Sequence, residues 1–140
     1  MNPPGFLTSS VLVAFGGGVG AWLRMVTGRV WTHAIGPIAA SAYPYSTLTV
    51  NLLGSMAMGL LAGWMARYGS VSGLANSEQW RLLLGVGVLG GFTTFSAFSL
   101  ELVLMIERGQ LAPAAIYAAV SVTGGIAGLF LGLYIMRAAI

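Results

Sequence analysis

The chain has no cysteine, no lysine and no aspartate, and a single histidine, His33, among its 140 residues. Without cysteine there is no disulfide framework, no thiol catalysis and no thiolate-bound metal. One histidine and no aspartate leave no material for a catalytic triad or a histidine–carboxylate metal cluster. Charge is scarcest of all, at 6 % of residues, where soluble domains carry about a quarter. A globular surface cannot be solvated at that density. The net charge of +3 comes from six arginines spread singly along the chain, which form no basic patch for nucleic acid. What the chain has instead is apolar length, 57 % of its residues. It reads as a membrane protein and not as an enzyme.

Uncharged apolar stretches run from Phe6 to Leu23, Thr47 to Ala66, Leu82 to Leu100 and Leu111 to Met136. Each reaches the roughly 18 to 20 residues that carry a helix across a hydrocarbon core of about 30 Å. Continuous apolar runs predict helices, because barrel strands would alternate and a lipid-facing backbone must satisfy its own hydrogen bonds. The whole chain, 1–140, is thus one four-span domain, with spans at about 6–26, 47–66, 82–106 and 111–136. Met1–Phe6 holds no basic residue and no small-residue cleavage pattern follows, so the first stretch is expected to remain a span. Thr27–Ser46, with Gly36-Pro37 and Tyr43-Pro44-Tyr45, and Arg67–Arg81 read as loops. Arg108-Gly109-Gln110 reads as a tight turn. Glycines four apart recur at Gly16 and Gly20, Gly59 and Gly63, Gly87 and Gly91, and along Gly124, Gly128 and Gly132. Such pairs let helices approach closely in lipid.

Arginines set orientation, since positive loops stay cytoplasmic. Arg67, Arg81 and Arg137 fall on the side of the termini, and Arg24, Arg29 and Arg108 on the other. A balanced chain has no orientation signal. That is what insertion in both directions requires, and also what chance gives in so small a sample.

The third span holds Gly90-Gly91-Phe92-Thr93-Thr94-Phe95-Ser96-Ala97-Phe98-Ser99. Adjacent glycines followed by two β-branched threonines weaken a helix there, and Thr93 or Thr94 could cap a new one. A break at membrane depth frees carbonyls that favour a cation and amides that favour an anion. The competing reading is an unbroken helix that uses Gly90 and Gly91 for packing. Phe95 and Phe98 share a face three residues apart. Their ring edges are electropositive, although phenylalanines at this spacing also serve as plain core. Asn51 is the one asparagine within a span, with two amide donors and Thr47 one turn away. It reads either as interhelical glue or as a functional group turned inward. Tyr117 and Ser121 align four apart, with local bonds to the helix backbone as their bland reading.

Together, Gly16–Arg24 (GGGVGAWLR), Thr47–Ser55 (TLTVNLLGS) and Gly90–Glu101 (GGFTTFSAFSLE) resemble the small bacterial fluoride channels, the CrcB/Fluc family. The likeness covers the whole chain in span count, loop length and motif order. It implies an all-α membrane protein of four transmembrane helices per subunit, the third broken mid-membrane. Two subunits would form an antiparallel, dual-topology homodimer in the bacterial inner membrane, with two pores. The resemblance also implies a structural sodium ion held by the backbone carbonyls of Gly90 and Thr93 from each subunit. Carried over, the fluoride pathway would comprise Asn51, Phe95, Phe98, Thr47 and Thr94. Tyr117 and Ser121 would begin a hydroxyl track and Arg24 would stand near an aqueous vestibule. Glu101 would lie beside the pore. One departure stands out: Gly125 and Leu129 continue the Tyr117–Ser121 face without hydroxyls.

The function implied is passive export of cytoplasmic fluoride, with fluoride, lipid and a second copy as partners and no nucleic acid. Two rivals differ in what they need. A small proton-coupled multidrug exporter requires a carboxylate central to its site, for which Glu101 is the intramembrane candidate. A structural membrane subunit requires no pore chemistry.

Overall fold

The computed structural model describes residues 4–68 and 77–138, and all of its regular structure is helical. Four stretches are long and apolar enough to cross a membrane: Phe6–Ile35, Tyr45–Tyr68, Ser77–Glu107 and Leu111–Ala138. Large apolar side chains face outward along them, Phe6 at 85 % and Leu7 at 79 % exposed. In water that surface would aggregate; in lipid it is solvated. The chain is a multi-pass membrane protein.

Helix α1 spans Phe6–Ile35. The segment from Thr27 predicted as loop is therefore helical for nine more residues, a correction to the sequence reading. Apolarity marks where a span can lie in lipid, not where helical hydrogen bonding stops. The chain stops at Gly36, whose φ of 81° suits a residue without a β-carbon. Pro37 then opens α2, Pro37–Ala42, at the helix position that needs no amide hydrogen. The extension of α1 is held by Trp31, whose Nε1 donates to Thr49 Oγ1 at 3.1 Å and whose ring stacks on Tyr45 at 5.1 Å.

Helix α3 covers Tyr45–Tyr68. Most of the loop predicted after it, including Gly69, Ser70, Ser72, Gly73 and Asn76, lies outside the described residues. The third stretch begins with α4, Ser77–Trp80, where Glu78 and Arg81 pair at 2.7 Å on the surface. An exposed pair of this kind adds little stability. The chain then widens into a π-helix over Arg81–Leu89, which the sequence reading did not anticipate. Gly85 and Gly87, buried within it, remove the side chains that would crowd a wider turn. Short helix α5, Gly90–Phe92, follows, and α6 runs from Phe95 to Glu107. Gly109, with φ of 74°, makes the tight turn read from Arg108-Gly109-Gln110. Helix α7 completes the chain over Leu111–Ala138.

The stretches pack as two pairs, α1 against the π-helix and α5, and α3 against α7. Glycine makes both pairings close. A β-carbon at Gly87 would stand 2.9 Å from the Gly16 Cα, and one at Gly20 would run into the Val88 carbonyl. A β-carbon at Gly132 would meet the Met56 carbonyl and, at 2.7 Å, the Leu60 amide. Without aqueous driving force between spans, such backbone approach is the main source of cohesion. Gly124 packs beside Leu52, Gly128 beside Met56 and Gly63 beside Met136, so α3 and α7 run parallel. That register aligns the polar residues of the two helices.

Candidate functional site

Between α5 and α6, Thr93 (φ −80°, ψ 160°) and Thr94 (φ −154°, ψ 123°) are extended. Thr94 is the cap of α6: its Oγ1 accepts from the Ala97 amide at 3.2 Å. Asn51 grips the same residue from α3. Its Oδ1 accepts from the Thr94 amide at 2.8 Å, and its Nδ2 donates to the Thr94 carbonyl at 3.0 Å. In a continuous helix the Thr94 amide would donate to the Gly90 carbonyl, and the Ala97 amide to the Thr93 carbonyl. Both donors are diverted to side chains. The carbonyls of Gly90 and Thr93 are therefore among those at the junction, with Gly91 and Phe92, that lose their helical partners.

Beside this junction lies a cavity of about 300 Å³. Asn51, Gly54, Ser55 and Met58 line it from α3, and Ser121, Val122 and Leu129 from α7. Thr93, Thr94, Phe95 and Phe98 close its third side. The Ser121 hydroxyl is buried there with no hydrogen-bond partner among the described residues. The Phe95 and Phe98 rings lie 5.8 Å apart at 39°. Phe98 is buried whereas Phe95 is 79 % exposed, so one phenylalanine belongs to the interior and the other to the outer face of α6.

A second polar cluster stands one helical turn away on both α3 and α7. Thr47 Oγ1 donates to Glu101 Oε1 at 2.7 Å, and the Tyr117 hydroxyl donates to Glu101 Oε2 at 2.8 Å. Thr47 and Tyr117 are both buried. Tyr117 therefore reaches another helix, not its own backbone as the bland reading of the sequence had it. Phe98 joins the two clusters by packing on Tyr117 at 5.1 Å.

The residues singled out in the sequence are thus placed in three groups. Asn51, Thr93, Thr94, Phe95, Phe98 and Ser121 share the cavity. Thr47 and Tyr117 meet at Glu101, outside its lining. Gly90 adjoins the junction without lining the cavity, and Arg24 does not line it either. Two residues were undervalued in the sequence. Glu101 organises the second cluster, and its position one α6 turn beyond Phe98 was a usable signal. Ser55 lines the cavity opposite Gly125, where a β-carbon would come within 3.3 Å of the Ser55 hydroxyl. The hydroxyl that α7 lacks at Gly125 is supplied from α3.

Lined by helices, open on the side of Phe95 and provided with hydroxyl and amide donors but no metal cluster among the described residues, this arrangement defines a small polytopic membrane protein with a polar cleft between its spans. The profile of the family described as "CrcB-like protein, Camphor Resistance (CrcB)" matches residues 11–133. A protein of Novosphingobium aromaticivorans named "Fluoride-specific ion channel FluC" is 54 % identical over 131 residues, covering 94 % of this chain and 98 % of that protein. Proteins of the same name from Erythrobacter litoralis and Caulobacter vibrioides are 48 % and 49 % identical. They cover 96 % and 91 % of this chain, and 95 % and 94 % of their own lengths. The chain belongs to the CrcB family.

Proposed function

We propose that this protein is a fluoride-selective channel of the bacterial inner membrane, and not an enzyme, which lets cytoplasmic fluoride leave passively. The observation that carries the reading is the cavity in which the Asn51 amide, the unpartnered Ser121 hydroxyl and the Phe95–Phe98 pair converge. Asn51 spends one amide hydrogen on the Thr94 carbonyl, which leaves the other for an ion. Ser121 has a free donor. The ring edges add weak positive potential in a low-dielectric wall. Fluoride is small and tightly hydrated, so its water is replaced only by several donors aimed at one point. Hydrogen fluoride enters cells as a neutral acid and ionises inside. A channel then lets the membrane potential expel the trapped anion, provided that chloride is refused.

In this reading the third span is broken at mid-membrane, and two copies pair antiparallel to give two pores. Support comes from the extended Thr93–Thr94 backbone, the exposed Phe95 on the open side of the cavity and the balanced arginines. A sodium ion at the centre of the dimer would be held by the Gly90 and Thr93 carbonyls of both subunits. Their chemistry fits: four backbone oxygens without helical donors suit a hard cation, and each would be costly if left unpaired. Bound there, sodium supplies charge compensation and cohesion. The exporter alternative gains nothing from Glu101, which lies outside the cavity with both carboxylate oxygens accepting hydrogen bonds.

The test is efflux from liposomes loaded with fluoride, followed with a fluoride electrode after a potassium ionophore relieves the opposing potential. Rapid release with purified protein supports the reading, and release no faster than from empty liposomes ends it.

A further inference from the structure

A second cavity, of about 190 Å³, lies beyond the Phe98–Tyr117 contact. Tyr43 and Pro44 line it from the segment before α3, and Glu101, Leu104, Met105 and Arg108 from α6. The α6 residues recur at three and four positions, so one helical face supplies them. Glu101 is common to the interior cluster and to this cavity. Its hydrogen bond from Tyr117, which packs on Phe98, links it to the first cavity, which Phe98 lines. At the other end of the face, Arg108 caps α6 at its junction with the turn. Among the described residues Arg108 makes no ion pair, unlike Arg81, which is neutralised by Glu78.

A carboxylate on the way of an anion is an electrostatic obstacle. Two hydroxyls already donate to Glu101, one on each oxygen, which spreads its charge without cancelling it. A guanidinium without an ion pair among the described residues, two turns outward on the same face, opposes that potential where an ion would enter or leave, although Glu107 precedes it in the chain. Taking the ion path proposed above as given, we infer that the second cavity is a water-filled mouth of that path. Arg108 is the charge that gathers a small hydrated anion there. Clefts lined by one sign of charge raise the local counter-ion concentration by about ten- to a thousandfold at low ionic strength, and a single charge in a cleft that also holds Glu101 falls at or below the low end, about three- to tenfold.

Since the chain has no native cysteine, Arg108→Cys creates a single thiol. That variant also shifts the arginine balance, so it is purified as assembled dimer and its charge is then changed chemically, after insertion is fixed. Fluoride efflux of one preparation is compared before and after a cationic and an anionic methanethiosulfonate reagent. The unmodified variant should conduct about three- to tenfold less than wild type at about 0.01 M salt. The cationic reagent should restore flux and the anionic one should lower it further. The differences should shrink toward nothing at about 1 M salt, where the screening length falls to about 3 Å. A conducting variant whose flux ignores both reagents, although mass spectrometry shows the thiol modified, overturns the role of Arg108. Blocked flux with either reagent alike, at every salt, also overturns it, because bulk rather than charge would then be acting. If wild-type protein fails to conduct, it is the channel reading that fails, and the two failures are distinct.

Discussion

Asn51→Asp is the most informative single substitution, because it adds a charge and removes both amide hydrogens with almost no change of shape. The introduced carboxylate keeps an oxygen for the Thr94 amide, now as a charge-assisted bond. It loses the donor that holds the Thr94 carbonyl at 3.0 Å. Leaving that carbonyl unsatisfied costs about 1–3 kcal/mol, partly offset by the stronger bond to the amide, so the fold should survive. The effect on an anion is larger. At about 4 Å and an effective dielectric of about 20, two like charges repel by about 4 kcal/mol, which corresponds to roughly a thousandfold in rate at about 1.4 kcal/mol per factor of ten. Efflux should therefore fall to background while size-exclusion chromatography still shows intact dimer. Acidification neutralises the carboxyl and returns one hydrogen, enough for the Thr94 carbonyl but not also for an ion, so flux through the variant should recover in part as pH falls. Protein-free liposomes correct for leakage of neutral acid. Wild-type efflux at neutral pH from the folded variant would remove Asn51 from the path. Loss of flux that acid does not relieve would mean that the ion needs the second amide hydrogen, which a protonated carboxyl does not replace.

Other outcomes follow from the same geometry. Lysines added only to the end that carries the chain termini should force one orientation and abolish function; co-expression with an oppositely biased copy should restore it, and full activity from one uniform orientation would refute dual topology. Sodium should raise dimer stability in detergent, where caesium should not, because a ligand of the assembled state stabilises it by mass action. Thr93→Ser should keep that response since the ligands are carbonyls, and stability indifferent to trace sodium would remove the site. Gly132→Val should drive a side chain into the α3 backbone and destabilise the bundle by about 1–3 kcal/mol or more, read as a lower unfolding temperature in detergent; an unchanged value would show that α3 and α7 part at little cost.

Much of the fold was legible because lipid imposes a simple rule. Thr47–Ala66 reads as a span from apolarity alone, and α3 contains all of it. The limits of the helices were less legible. Arg24 and Arg29 interrupt the uncharged run before Val30 to Ile35, yet the helix continues until Gly36-Pro37 ends it. At the site, the sequence showed that Thr47 and Asn51 share a face, and likewise Tyr117 and Ser121. It could not show that each pair straddles two clusters. Those depend on contacts between residues far apart in the chain, Asn51 with Thr94 and Thr47 with Glu101, which periodicity within one helix does not encode. Glu101 was weighed as an exporter's carboxylate because a lone intramembrane acid advertises proton chemistry. Only the packing of α6 against α3 and α7 reveals that both its oxygens accept from neighbours. The π-helix over Arg81–Leu89 had no signal beyond its glycines.

Selective passage of fluoride is read most plainly from a reversal potential. Purified protein in a planar bilayer is given fluoride gradients at symmetric chloride, then chloride gradients at symmetric fluoride. The potential should follow fluoride by about 59 mV per tenfold and stay at zero when only chloride differs. A potential that moves with chloride, or the absence of any protein-dependent current, would contradict selective passage of fluoride.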